Sequence, residues 1–198
     1  MDRNYSLALL ILSFLVLIGC EKKYSKKDAL NQSMLCLEIK NDLGSLSQER
    51  NPYFFVMAEN IDSGIKVADS TLNIIKRITE EINEKNIEYY KILQESKPKH
   101  KDSRFIDATL DFIKTNQDLE FKADTLIKSL LDSESDKEVE KKIAYELKIA
   151  TKNMTEFQKR YKNRESDFHN DNGINQTQVD SIVEIIKSKK TIANTVYN

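Results

Sequence analysis

The sequence predicts an all-α fold, an elongated up-and-down antiparallel bundle of four to five long helices. Three observations predict it. The 198 residues include only 4 Gly and 2 Pro, which leaves little of the punctuation that sheets and tight turns need. Lys, Glu, Ile, Leu and Asn are abundant, a balance that favours long helices. From residue 28 onward, apolar residues recur at threes and fours, the spacing that places them on one face of a helix.

A first helix is expected over about 28–49. Its stripe is Ala29, Cys36 and Leu43, flanked by Gln32, Ile39 and Leu46. Asn51-Pro52 reads as a helix start, with Asn as N-cap and Pro at the first helical position. A second helix would then run to about residue 96 along Ile61, Ile65, Ala68, Leu72, Ile75, Thr79, Ile82, Asn86, Tyr89 and Leu93, a heptad-like seam roughly 65 Å long. Ser63-Gly64 interrupts that seam, so the helix either continues through Gly64 or breaks there.

The run 97–101, Lys-Pro-Lys-His-Lys, is the clearest loop. Asp102 or Ser103 can cap a third helix to about residue 131, with Phe105, Phe112, Leu119 and Leu126 repeating every seven residues. Asn116 and Glu120 intrude on its apolar face. They read as stripe-edge residues reaching water, with a polar pocket inside the bundle as the alternative. After an acidic turn at 132–136, Ser135 and Glu138 form a capping-box pattern. The fourth helix carries Val139, Ile143, Leu147, Ala150, Met154, Phe157, Tyr161 and Phe168. Gly173 follows its end, and a fifth helix spans about 177–196 with Val179, Ile182, Val183, Ile186, Ala193 and Val196. Tyr89, Tyr90 and Tyr161 read as core-boundary aromatics. Each helix has one apolar stripe and one charged face, so none is stable alone.

The first twenty residues have a different character. Residues 7–18 are apolar apart from Ser13, which fits the apolar core of a signal peptide and is too short to span ~30 Å of hydrocarbon. Leu17-Ile18-Gly19-Cys20 resembles the lipobox of bacterial lipoproteins at all of its positions. The resemblance implies cleavage after Gly19 and a thioether-linked diacylglycerol on the Cys20 sulfur, often with a third acyl chain such as palmitate on the new amino group. Two or more chains anchor a protein stably where one does not. The expected organisation is a signal peptide over 1–19, a lipidated Cys20 with a charged tether over 20–27, and a bundle over 28–198. By the lipoprotein sorting rule, Glu21 implies the outer membrane. The absence of an acidic run after Cys20 points to its periplasmic side over the cell surface. More loosely, residues 65–175 resemble an all-helical lipoprotein family of Bacteroidetes and Leptospira. The carriers are Phe105-Ile106-Asp107-Ala108, Leu110, Phe112 and Ile113 after a basic loop, then the acidic turn and the helix over 157–168.

Cleavage after Gly19 would remove one acid and one base, Asp2 and Arg3, so the net charge of −1 is unchanged. That balance argues against nucleic acid as a partner. With Cys20 carrying lipid, Cys36 is left without a disulfide partner in its own chain. It reads as a small buried residue, with a bridge to another chain as the alternative. His100 and His169 are the two histidines; neither has the Glu-x-x-His spacing of a di-iron bundle. His169 reads as part of a solvated helix end. No phosphate loop, nucleophile elbow or Cys-x-x-Cys is present. No cofactor or metal is expected, and no enzymatic activity.

If the first helix leaves the membrane, the second returns. Lys97, Lys99 and Lys101 then sit at the membrane end beside Lys22 and Lys23, where basic residues near an anionic leaflet contribute roughly 1 kcal/mol each. The acidic turn sits at the other end, facing a protein partner. The expected function is therefore a non-enzymatic envelope lipoprotein with an interaction or structural role. The competing expectation is a small-ligand-binding or sensory bundle, in which Asn116, Glu120 and Arg164 converge on a cavity.

Overall fold

The computed structural model describes residues 26–132 and 137–196, with side chains as far as residue 189. Gly19, Cys20, Lys22 and Lys23 lie outside the described residues, as does Ser135 of the expected capping box. Five α-helices follow one another, and no strand occurs among the described residues. They are α1 (Lys26–Asp62), α2 (Asp69–Ser96), α3 (Arg104–Leu131), α4 (Lys137–Asp171) and α5 (Gln176–Val196). A single 3-10 turn, Lys97–Lys99, joins α2 to α3.

The first boundary differs from the sequence expectation. Pro52 lies inside α1 and starts nothing. A proline in a helix interior removes one hydrogen bond and costs about 3 kcal/mol in isolation. Packing overrides it, because the stripe of Leu43 and Leu46 continues through Arg50 to Met57, all buried. The chain breaks at Gly64 instead. Gly64 has φ 69, and the Ile65 and Gly64 amides donate to the Asn60 and Ile61 carbonyls. This pair of bonds is a Schellman closure, in which glycine takes the left-handed position without the penalty of a Cβ. The second helix is therefore 28 residues, roughly 42 Å, and Ile65 and Ala68 are exposed in the connection. Gly173 (φ 64) closes α4 in the same way, and Asn175 exchanges hydrogen bonds with Gln178 to cap α5.

Side-chain contacts give the topology. Asp42 and Glu49 of α1 meet Tyr89 and Arg77 of α2, so these two helices run antiparallel. Asn86 of α2 meets Asn116 of α3 while Lys97 meets Asp107. Arg104 and Asp111 of α3 pair with Asp171 and Arg164 of α4. α1 and α3 are thus parallel, and two contacts record their register. Gln32 donates to the Asp102 carbonyl and Arg50 to the Glu120 carboxylate, each seventy residues apart in the chain. α3 touches α1, α2 and α4, which explains why it buries residues on both flanks of its heptad stripe, from Phe105 and Ile106 to Leu126 and Ile127.

Two apolar cores result. The larger occupies the end where α1 begins and includes Cys36, Ile39, Leu43, Ile82, Phe105, Phe112, Tyr161 and Phe168. The smaller lies toward the α1–α2 connection, around Met57, Val67, Leu72, Ile75, Ala123, Leu126, Ile127 and Leu147. Each fully buried Leu, Ile or Phe contributes roughly 1.5–3 kcal/mol.

Candidate functional site

Polar side chains lie where the two cores adjoin. Arg50 comes from α1, Thr79 and Asn86 from α2, and Asn116 and Glu120 from α3; all five are buried. The Arg50 guanidinium donates through Nη2 to Glu120 Oε1 at 2.7 Å and through Nη1 to Glu120 Oε2 and to Thr79 Oγ1, the latter at 2.7 Å. Its Cζ also lies over the Phe54 ring, 4.5 Å from the centroid. Asn116 Nδ2 donates to Asn86 Oδ1 at 3.2 Å. Burial pushes the Glu120 carboxyl above its ordinary value, and the Arg50 hydrogen bonds and charge pull it back down. Among the described residues, Arg50 Nε and Asn86 Nδ2 have no acceptor.

This arrangement corrects the expectation for Asn116 and Glu120. They do not reach water at a stripe edge; they face inward, toward Arg50 and Asn86. Arg164 does not join them, because it is exposed and pairs with Asp111 at 2.8 Å. The cation that holds Glu120 is Arg50, which the sequence reading passed over. Its signal was present: Arg50 occupies the next core position after Leu43 and Leu46 at spacings of three and four.

His169 also differs from its expectation as part of a solvated helix end. It is buried where α4 meets α1, with Nε2 3.0 Å from Ser33 Oγ and its ring edge-on to Phe105 at 5.5 Å. Burial holds its imidazole below the ordinary 6.5; Glu165 opposes that and Lys40 reinforces it. Cys36 is buried and free, and burial pushes its thiol up to about 12. The thiol is neutral and screened from a second chain, as the packing reading of Cys36 expects. Tyr161 is more buried than a core-boundary aromatic, at 1 % exposure, with its hydroxyl 3.1 Å from Thr109 Oγ1.

The basic turn sits where α1 begins. The Gln32 amide donates to the Asp102 carbonyl at 2.8 Å, tying the first turns of α1 to the entry of α3. Lys99 and Lys101 are exposed there, while Lys97 is partly offset by Asp107 at 2.7 Å. Asp102 and Asp171 both bind Arg104, so acids are interleaved with the bases at this end.

No family model, curated protein or solved structure matches the chain. Among the described residues, no group of three or more His, Cys, Asp or Glu side chains is placed to hold a metal ion, and no helix is long and apolar enough to cross a membrane.

Two predictions follow from the buried polar groups. Glu120→Leu alone leaves the Arg50 charge buried and should lower the unfolding free energy by about 3–5 kcal/mol, whereas Arg50→Met with Glu120→Leu should cost far less than the sum of the single changes. Urea denaturation of the two single variants and the double variant measures this; additive losses would contradict it. For His169 the folded value lies below the unfolded one. The stability it contributes is therefore complete above pH 6.5 and is lost as pH falls through the depressed folded value. The urea midpoint of the wild type should fall more steeply than that of His169→Gln between pH 7 and 5; parallel curves would contradict the assignment.

Proposed function

We propose that this protein is an envelope lipoprotein, anchored by acyl chains on Cys20, whose helical bundle serves a protein-interaction or structural role and performs no catalysis. The observation that carries the proposal is Leu17-Ile18-Gly19-Cys20 at the end of an apolar leader. Glu21 favours the outer membrane, on its periplasmic side. Asn116 and Glu120, the residues that would have marked a ligand cavity, are bonded to Asn86 and Arg50, so the interaction or structural role is the reading we prefer.

The orientation follows from the anchor and the register. α1 begins at Lys26, six residues after Cys20, and the turn carrying Lys99 and Lys101 adjoins the start of α1. With lipid on Cys20, the start of α1 and the basic turn would face the bilayer together, and the α1–α2 connection would point away from it.

Growth of the native cell with labelled palmitate should label the wild type, and intact mass should show a chain beginning at an acylated Cys20. Cys20→Ser should carry no label. An unmodified Cys20 on a chain that retains Met1 would overturn the proposal. Charge reversal at Lys97, Lys99 and Lys101 should weaken binding of the acylated protein to anionic vesicles by about tenfold or more, at roughly 1 kcal/mol per exposed lysine, and leave binding to zwitterionic vesicles unchanged. Equal binding of the two forms to anionic vesicles would remove the basic turn from the account.

A further inference from the structure

Exposed apolar side chains are unevenly distributed along the bundle. Of the ten large hydrophobic side chains exposed among the described residues, eight lie beyond the Arg50–Glu120 layer, on the side of the α1–α2 connection; Ile87 and Ile185 are the exceptions. The two that adjoin in sequence are Phe55, 72 % exposed, and Val56, 45 % exposed, on α1.

Their position on α1 is informative. α5 packs on α1 and buries Ile182 and Ile186 in the larger core. Its Lys189 reaches Glu38 at 3.7 Å, which marks the face of α1 that α5 covers. Glu38 and Val56 are eighteen residues apart, and so are Leu37 and Phe55. Eighteen residues make five full turns of a 3.6-residue helix, a rise of ~27 Å. Phe55 and Val56 therefore continue the face on which α5 sits, beyond α5's contact at Glu38. Leu37 is 7 % exposed where Phe55 is 72 %.

The charges that α1 itself places beside the uncovered part are acidic, and Lys66 in the connection that follows pairs with Asp69 at 3.5 Å. Glu59 and Asp62 are exposed in the last turns of α1 and have no ion-pair partner among the described residues. The last turn of α1 carries no base. A helix C-terminus is itself the negative end of the macrodipole, so two acids there add to its negative field. The α5 seat shows the same chemistry in satisfied form, with apolar residues against α1 and a lysine in an ion pair with an acid.

We propose that the face of α1 around Phe55 and Val56 docks an amphipathic helix of a partner protein, carrying an apolar stripe flanked by lysine or arginine, seated in line with α5. This rests on the interaction role proposed above and supplies its partner class. Phe55 fills the partner's stripe, and Glu59 and Asp62 select its basic flank. Helix-in-groove recognition of this kind is read at i, i+3, i+4 and i+7.

The test uses the purified full-length chain, kept in mild detergent whether or not it is acylated, and two synthetic 18-residue helical peptides. Both peptides have a leucine stripe and one photoreactive residue; one has lysine flanks and the other glutamate flanks. The lysine peptide should crosslink to residues 48–62 of α1. Phe55→Ser with Val56→Ser should lower that yield about tenfold, the effect of losing a buried anchor. Glu59→Lys with Asp62→Lys should lower it similarly and should raise the yield with the glutamate peptide. The circular dichroism spectrum and urea midpoint check that the variants fold; if the apolar pair does not, the charge pair decides alone. Crosslinks spread over other surfaces, or unchanged by the charge pair, would overturn the proposal. Dimerisation of the wild type in analytical ultracentrifugation that is lost in the Phe55→Ser, Val56→Ser variant would overturn it in favour of self-association. None of these outcomes depends on acylation, which the palmitate experiment reads separately.

Discussion

The buried Arg50–Glu120 ion pair fixes the register of α1 against α3. Arg50 and Glu120 stand seventy residues apart in sequence on the two parallel helices α1 and α3, and Gln32 and Asp102 keep the same offset at the end where α1 begins. An apolar seam alone tolerates sliding, because leucine and isoleucine pack acceptably at neighbouring registers. A bidentate guanidinium–carboxylate pair does not, since a shift by one turn leaves both charges buried without partners. The pair costs desolvation and returns uniqueness of alignment. Thr79 extends the constraint to α2.

The rest of the architecture follows from that alignment. With α1 and α3 in register, α2 returns between them, and the turn carrying Lys97, Lys99 and Lys101 arrives beside the first turns of α1. α4 then runs back along α3, placing His169 beside Ser33 and Gly173 at the same end of the bundle. The fifth helix closes one face of α1 over the larger core and leaves the continuation of that face, at Phe55 and Val56, uncovered. One end of the molecule thus carries the start of α1 and the basic turn. The other carries most of the exposed apolar surface. That asymmetry suits a protein held by lipid at one end and meeting a partner at the other.

The helices were legible in the sequence because their signals are local. The stripes, the scarcity of Gly and Pro, and the 97–101 loop each depend on a few adjacent residues. The first break was misplaced because Asn51-Pro52 has the local form of a helix start. What overrides it, the burial of Met57 against α2 and α3, is tertiary. Gly64 was visible as an interruption, but only its left-handed φ decides that the helix ends there. Asn116 and Glu120 were recognised as out of place, yet their partners lie on other helices. Arg50 escaped notice because an arginine ordinarily marks a stripe's edge. His169 looked like part of a frayed end because nothing in its neighbourhood in the chain announces Ser33, 136 residues earlier.

The most direct measurement of the account is the distance of each end of the bundle from the bilayer. Spin labels placed by Lys99→Cys or Glu59→Cys on the acylated protein in anionic vesicles can be relaxed by a nickel chelate attached to lipid headgroups; the buried Cys36 stays unlabelled. The account predicts strong relaxation at position 99 and almost none at position 59, which lies roughly 50 Å along α1 from its start. Equal relaxation at the two positions, or stronger relaxation at 59, would contradict it.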